Sequence, residues 1–180
     1  MPGSGKSIVA DELVKKGFGY VRFGQVVVDK VVESGLEVNA DNEKIIREKL
    51  RKELGMGAIA LLTMPKIDQL LDESSVAADG LYSWTEYKIL KEKYGNLMYV
   101  VAVFSPPELR YKRLESRVEV NDNRNRFRPI SRNDSKKRDY AEIENIEKGG
   151  PIAMADFTIV NTSTISEAIK KLNKFLAEIK

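Results

Sequence analysis

The chain has 180 residues, 42% of them hydrophobic, enough for one compact domain with its own core. With 30 Lys and Arg against 27 Asp and Glu, its net charge of +3 suits an anionic ligand without arguing for nucleic acid. It has no His and no Cys, which excludes disulfides, thiolate chemistry, His- or Cys-based metal sites and serine-hydrolase triads, and leaves acid–base work to Asp, Glu, Lys or Tyr.

The first element is a phosphate-binding loop, Met1-Pro2-Gly3-Ser4-Gly5-Lys6-Ser7. Gly3, Ser4 and Gly5 let backbone N–H groups approach a polyphosphate, Lys6 reaches phosphate oxygens, and the Ser7 hydroxyl suits Mg²⁺. The full motif, Gly-x-x-x-x-Gly-Lys-Ser, places its first Gly one residue before Met1, and no strand precedes the loop. The expectation is therefore a chain that begins upstream, with roughly six to eight more residues forming a short apolar strand. Ile8, Val9, Leu13 and Val14 recur at helical spacing, so residues 6–16 are expected to be helical, stopped by Gly17. A short strand is expected over 19–23 and a helix from Gln25 to about Ser34. Asp41-Asn42 would cap a charged helix ending near Leu54, and a second helix follows Gly55-Met56-Gly57 over 58–71. These two helices read as an inserted hairpin, within a helical acceptor-side insertion over 35–73.

Ser75-Val76-Ala77-Ala78 reads as a buried parallel strand ending in Asp79-Gly80. Residues 84–94 are expected to be helical and 97–104 a strand, apolar throughout. Pro106-Pro107 opens a helix carrying Arg110, Arg113 and Arg117. Residues 118–135 lack apolar periodicity and read as a mobile loop, the centre of a lid over 114–136. A helix over 136–147, a break at Gly149-Gly150-Pro151, and a strand over 156–160 come next. The last helix, 164–179, lines up Ile165, Ala168, Ile169, Leu172, Phe175, Leu176 and Ile179 on one face.

Alternating strands and helices imply a single α/β domain over 1–180, with a parallel sheet covered by helices on both faces. Ligands in such folds sit beyond the carboxyl ends of the strands, where the phosphate loop and Asp79 would meet. Asp79 would hold Mg²⁺ through water, accept a proton from an acceptor hydroxyl, or cap the turn before Gly80. Arg110, Arg113, Arg117, Arg124, Arg126, Arg128, Arg132 and Arg138 form a set suited to bidentate phosphate contacts or to a solvated basic surface. Tyr82, Trp84 and Tyr87 either pack or stack on a base. No apolar run reaches the ~18 residues of a membrane span. No membrane partner and a cytoplasmic location are expected.

These residues resemble the small P-loop kinases, adenylate kinase-like and dephospho-CoA kinase-like proteins. The nearest resemblance is to an archaeal group of adenylate kinase-related proteins, the UPF0200 family. It rests on residues 1–7, Asp79-Gly80-Leu81, Ser105-Pro106-Pro107-Glu108-Leu109-Arg110, Arg138-Asp139, and Ile152 through Asn161. The resemblance implies a nucleoside monophosphate kinase-like fold with an Arg-rich lid, ATP and Mg²⁺ as cofactors, and a base-binding loop at Asn161, Thr162 and Ser163. Arg113, Arg117, Arg132 and Arg138 match the pattern's arginines. Lys6, Asp79, Arg117 and Arg138 are then the candidate catalytic residues. Gly3, Ser4, Gly5, Lys6, Ser7, Arg113, Arg132, Asn161, Thr162 and Ser163 are the candidates for binding nucleotide, and Ser7 and Asp79 for metal. The chain departs from the pattern at Gln25 (usually Asp), Val28 (usually Arg) and Tyr82 (usually Arg), all on the acceptor side. An ATP-dependent phosphotransferase for a nucleotide or related small metabolite is the leading expectation. A nucleotide-binding regulatory module, with nucleic acid as a less favoured partner, is the alternative.

Overall fold

The computed structural model describes residues 1–117 and 129–179. Its elements follow in order as α1 (Lys6–Lys15), β1 (Gly19–Arg22), α2 (Phe23–Glu33), α3 (Ala40–Leu54), α4 (Ala58–Leu71), β2 (Val76–Asp79), α5 (Trp84–Tyr94), β3 (Val101–Phe104), α6 (Pro107–Glu115), α7 (Arg132–Glu144), α8 (Gly149–Ala153), β4 (Phe157–Val160) and α9 (Ile165–Glu178). All strand pairing among the described residues is parallel, as the sequence leads one to expect of an α/β fold.

The strands form two pairs. β1 lies beside β2 from Gly19↔Val76 to Arg22↔Asp79, and β3 beside β4 from Val101↔Phe157 to Phe104↔Val160. Among the described residues β2 and β3 do not pair. The N–H of Gly19 bonds the Ser75 carbonyl and that of Phe157 bonds the Val100 carbonyl. Because backbone groups alternate along a strand, those of Val76 and Ala78, and of Val101 and Val103, face the other edge of each pair. Ala78 is exposed in mid-strand.

Each pair of strands carries its own apolar core. The larger joins Val21 and Phe23 to Val27 and Val31 of α2, Ile46 and Leu50 of α3, Ala58, Ile59, Ala60 and Ile67 of α4, and Leu90 of α5. The smaller joins Val9 of α1 to Val103, Ile159, and Ala168 and Leu172 of α9. The apolar stripe of α9 is what docks it: Leu172 is fully buried, and the Phe175 ring stacks on Phe157 at 4.8 Å between centroids. Burying a leucine side chain contributes about 1.5–3 kcal/mol, so this stripe dominates the attachment of α9.

Several expected elements differ. The helices α3 and α4 do not form a detached hairpin, because α4 packs on both β1 and β2 and supplies the middle of the larger core. The cap of α3 is Asn39, whose side chain accepts from the Asn42 N–H; Asp41 and Asn42 lie in the first turn. Strand β3 starts only at Val101: residues 95–97 make a 3₁₀ turn and Leu97 is 86% exposed. Helix α7 begins at Arg132, four residues early, because the Ser131 hydroxyl accepts from the Asp134 N–H. The expected break at Gly149-Gly150-Pro151 is the short helix α8, where Pro151 falls in the first turn and costs no hydrogen bond. Residues 118–128 of the expected lid, with Arg124, Arg126 and Arg128, lie outside the described residues.

Candidate functional site

The phosphate loop occupies residues 1–5 and feeds directly into α1. Two of its residues must be glycine on steric grounds. Gly3 has φ 74°, and a Cβ there would sit 2.7 Å from the Arg110 carbonyl; Gly5 has φ 98°, and a Cβ there would sit 2.4 Å from Asn161 Nδ2. Ser4 is buried between them, and its carbonyl accepts from Asn161 Nδ2 at 2.8 Å. Asn161 itself follows β4, and its N–H bonds the Phe104 carbonyl at 2.8 Å. The loop is thus tied to the carboxyl ends of both β3 and β4.

A second tie comes from Arg110 on α6. Its guanidinium donates to the Pro2 carbonyl at 3.2 Å, to the Ser105 carbonyl at 3.0 Å, and through two nitrogens to Asp139 at 3.0 and 2.5 Å. Arg110 and Asp139 are each only 4% exposed. Arg110 therefore supports the loop and is not available as a phosphate contact.

The loop opens on a cavity of about 910 Å³, of a size suited to a nucleotide. Gly3, Gly5, Lys6, Ser7, Asp79, Arg113, Arg117, Arg138, Asn161 and Ser163 all border it. Three expected residues do not. Ser4 faces the protein interior, Thr162 points to solvent, and Arg132 pairs on the surface with Glu108. Asn161, although at the rim, is committed to the loop backbone through its amide, and the Ser163 hydroxyl donates to Glu167. Asn161 and Ser163 thus border the cavity with their side chains engaged within the protein, and Asn161 also positions the loop. The Trp84 and Tyr87 rings stack on each other at 4.9 Å, so they serve packing, while Tyr82 borders the cavity.

The cavity is strongly cationic. Lys6 is held below the ordinary lysine value by burial, with Asp79 and Glu142 partly opposing. Arg117 is lowered by burial and then by Arg138 beside it. Arg113 donates to the Ser105 hydroxyl at 2.9 Å, and Arg138 donates through Nε to Glu142 at 3.0 Å. Two cations here escaped the reading of the sequence. Arg22, at the carboxyl end of β1, borders the cavity opposite Asp79 in the β1–β2 register. Lys148, before α8, borders it as well, buried against Glu142. A lone Arg at a strand end was the available signal for the first; nothing local distinguishes Lys148.

Ser7 and Asp79 offer two hard oxygen donors on one cavity. One carboxylate, a hydroxyl and substrate phosphates make the donor set that Mg²⁺ uses, so these residues fit the ion. The Tyr20 hydroxyl makes a long 3.4 Å contact to Asp79 Oδ2. Among the described residues no three acidic side chains cluster into an all-protein metal cage, and no helix is long and apolar enough to cross a membrane.

A family model described as an AAA domain matches residues 1–147. A UPF0200 protein of Thermococcus gammatolerans is 35% identical over 181 aligned residues, covering 99% of this chain and 92% of that protein. One of Sulfurisphaera tokodaii is likewise 35% identical, covering 99% and 93%. The crystal structure of a gluconokinase from Sinorhizobium meliloti superposes with a TM-score of 0.54 over 98% of this chain and 90% of that one, at 13% identity, a likeness of fold alone. With a glycine-cradled phosphate loop at the mouth of a cationic cavity, a matching domain model and relatives aligned over nearly its whole length, this nucleotide-binding chain, kinase-like in fold, belongs to the UPF0200 family.

Proposed function

We propose that the protein transfers a phosphoryl group from Mg-ATP to a nucleotide or related small metabolite. The observation that carries this reading is one cavity bordered by the loop glycines, Lys6, Ser7, Asp79 and three arginines from α6, the segment after it, and α7. Phosphoryl transfer asks little covalent chemistry of a protein; it needs positioning and positive charge around the moving group. In this reading the N–H groups opening α1 and the Lys6 ammonium bind the β- and γ-phosphates. Arg113, Arg117 and Arg138 balance charge that builds on the transferred group. Mg²⁺, held by Ser7 and Asp79, would neutralise phosphate charge. Asp79 also stands ready to take the proton of a hydroxyl acceptor; a phosphate acceptor needs no such base.

The same cavity is bordered by Arg22, Gln25 and Val28 of the β1–α2 segment, by Val38 and Ala40, and by Glu43 of α3. This mixed lining supports an acceptor with both an anionic and an apolar part. The test is calorimetric titration with Mg-ATP and a panel of nucleoside monophosphates and phosphorylated metabolites, then an ADP-release assay with every binder. Mg-ATP binding with acceptor-dependent ADP release is the expected result. Binding without release from any acceptor would leave a nucleotide-binding module and overturn phosphotransfer.

A further inference from the structure

Helix α7 ends in a turn of unusual form. Among the described residues Glu147 is the one non-glycine with positive φ, at 53°. Such a conformation strains an L-residue and persists only where the surroundings enforce it. Its effect is to fold the chain back on the end of α7, so that the Lys148 N–H bonds the Glu142 carbonyl at 3.2 Å. The Lys148 side chain then runs inward rather than to solvent. It is 4% exposed, pairs with Glu142 Oε2, has its ammonium 4.5 Å from the Tyr82 ring centroid, and borders the phosphate cavity.

Glu142 does not satisfy this lysine alone. Its other oxygen accepts from Arg138 Nε, so a single carboxylate serves two cations of the cavity wall. Lys6 lies close enough to both Lys148 and Glu142 to shift their charge balance. Around this point Lys6, Arg117, Arg138 and Lys148 face the two carboxylates of Asp79 and Glu142. Lys148 is the buried member of this group, and a buried ammonium at the wall of a cavity gains from an anion that enters it.

We propose that Lys148 is a second lysine of the phosphate-binding site, held in place by Glu142 and the left-handed Glu147 turn, and contacting the polyphosphate oxygens of bound nucleotide. Glu142 is its positioning residue and orients Arg138 at the same time. This inference rests on the nucleotide reading above and adds a residue to it. The titration behaviour agrees: Lys148 is pushed down to about 8 by burial, with Glu142 opposing and Lys6 adding to the shift. The charged and titratable groups facing it are Glu142 and Arg138 of α7, Lys6 of α1, Glu86 of α5, Tyr82 through its ring, and the Met1 amino group. An arriving polyphosphate would return its proton.

The experiment is titration calorimetry with Mg-ATP, ADP and AMP on wild type, Lys148→Met, Lys148→Arg and Lys6→Ala, at pH 7 and 9 and in two buffers of different ionisation enthalpy. Lys148→Met should weaken Mg-ATP binding about 10- to 100-fold, as loss of one charge-assisted contact does, and AMP binding by much less. Lys148→Arg should recover most of the affinity. Wild type should take up protons on binding ATP at pH 9, and Lys148→Arg should take up fewer. A folded Lys148→Met protein that binds Mg-ATP as wild type does overturns the proposal. If that variant fails to fold, equal proton uptake by wild type and Lys148→Arg overturns it instead. Absence of Mg-ATP binding by wild type itself defeats the nucleotide reading, a result distinct from indifference to Lys148.

Discussion

Replacing Asp139 by Ala tests how the phosphate loop is held. Asp139 accepts two hydrogen bonds from Arg110, at 3.0 and 2.5 Å, and one from the Tyr111 hydroxyl at 2.9 Å. Truncation leaves a buried guanidinium with no counter-charge, a change that costs about 3–5 kcal/mol. For a chain of this size about 4 kcal/mol corresponds to roughly 8–16 °C in melting temperature. The surface pair of Arg132 and Glu108, 53% and 70% exposed in their side chains, is the control; Glu108→Ala should cost no more than about 1 kcal/mol. Because Arg110 also holds the Pro2 carbonyl, Asp139→Ala should weaken Mg-ATP binding even where the protein remains folded. Urea unfolding followed by circular dichroism, with calorimetric titration of Mg-ATP, measures both effects. A loss under about 1 kcal/mol, equal to that of Glu108→Ala, would refute the view that this buried pair supports the loop.

Three other perturbations have defined outcomes. Gly5→Ala puts a Cβ 2.4 Å from Asn161 Nδ2 at φ 98°, so it should destabilise by about 1–3 kcal/mol and disable Mg-ATP binding; unchanged melting and affinity would contradict the steric reading. Lys148 has its pKa lowered from 10.5 to about 8, so between those values the unfolded chain binds more protons than the folded one and stability rises with pH. The burial penalty is full below pH 8, and urea titrations should show up to about 3 kcal/mol of recovery by pH 10.5 that Lys148→Met lacks; parallel pH profiles would argue against it. Leu172→Ala, at a fully buried position, should cost about 2–5 kcal/mol, whereas Leu97→Ala, at 86% exposure, should stay within about 0.5 kcal/mol; similar losses at both would contradict the packing described.

What the sequence by itself determined is local. Residues 3–7 announce a phosphate loop because small residues followed by Lys-Ser at a helix start have a backbone reason to be there, and the α9 stripe announces a buried face because its period matches the helix. The parallel α/β class follows from the alternation of short apolar runs with amphipathic helices. Tertiary structure alone decided which charges face the cavity and which hold it together. Arg110 and Arg113 are three residues apart on one helix, yet Arg110 is paired with Asp139 from α7 while Arg113 borders the cavity. Arg132 and Arg138 share α7, yet Arg132 pairs on the surface with Glu108 while Arg138 pairs with Glu142 and borders the cavity. The core role of α4 and the inward course of Lys148 likewise depend on partners distant in sequence or on a strained turn. Periodicity and turn chemistry act within a few residues, whereas the partner of a charge is chosen by packing between elements, where burial makes an unpaired group costly.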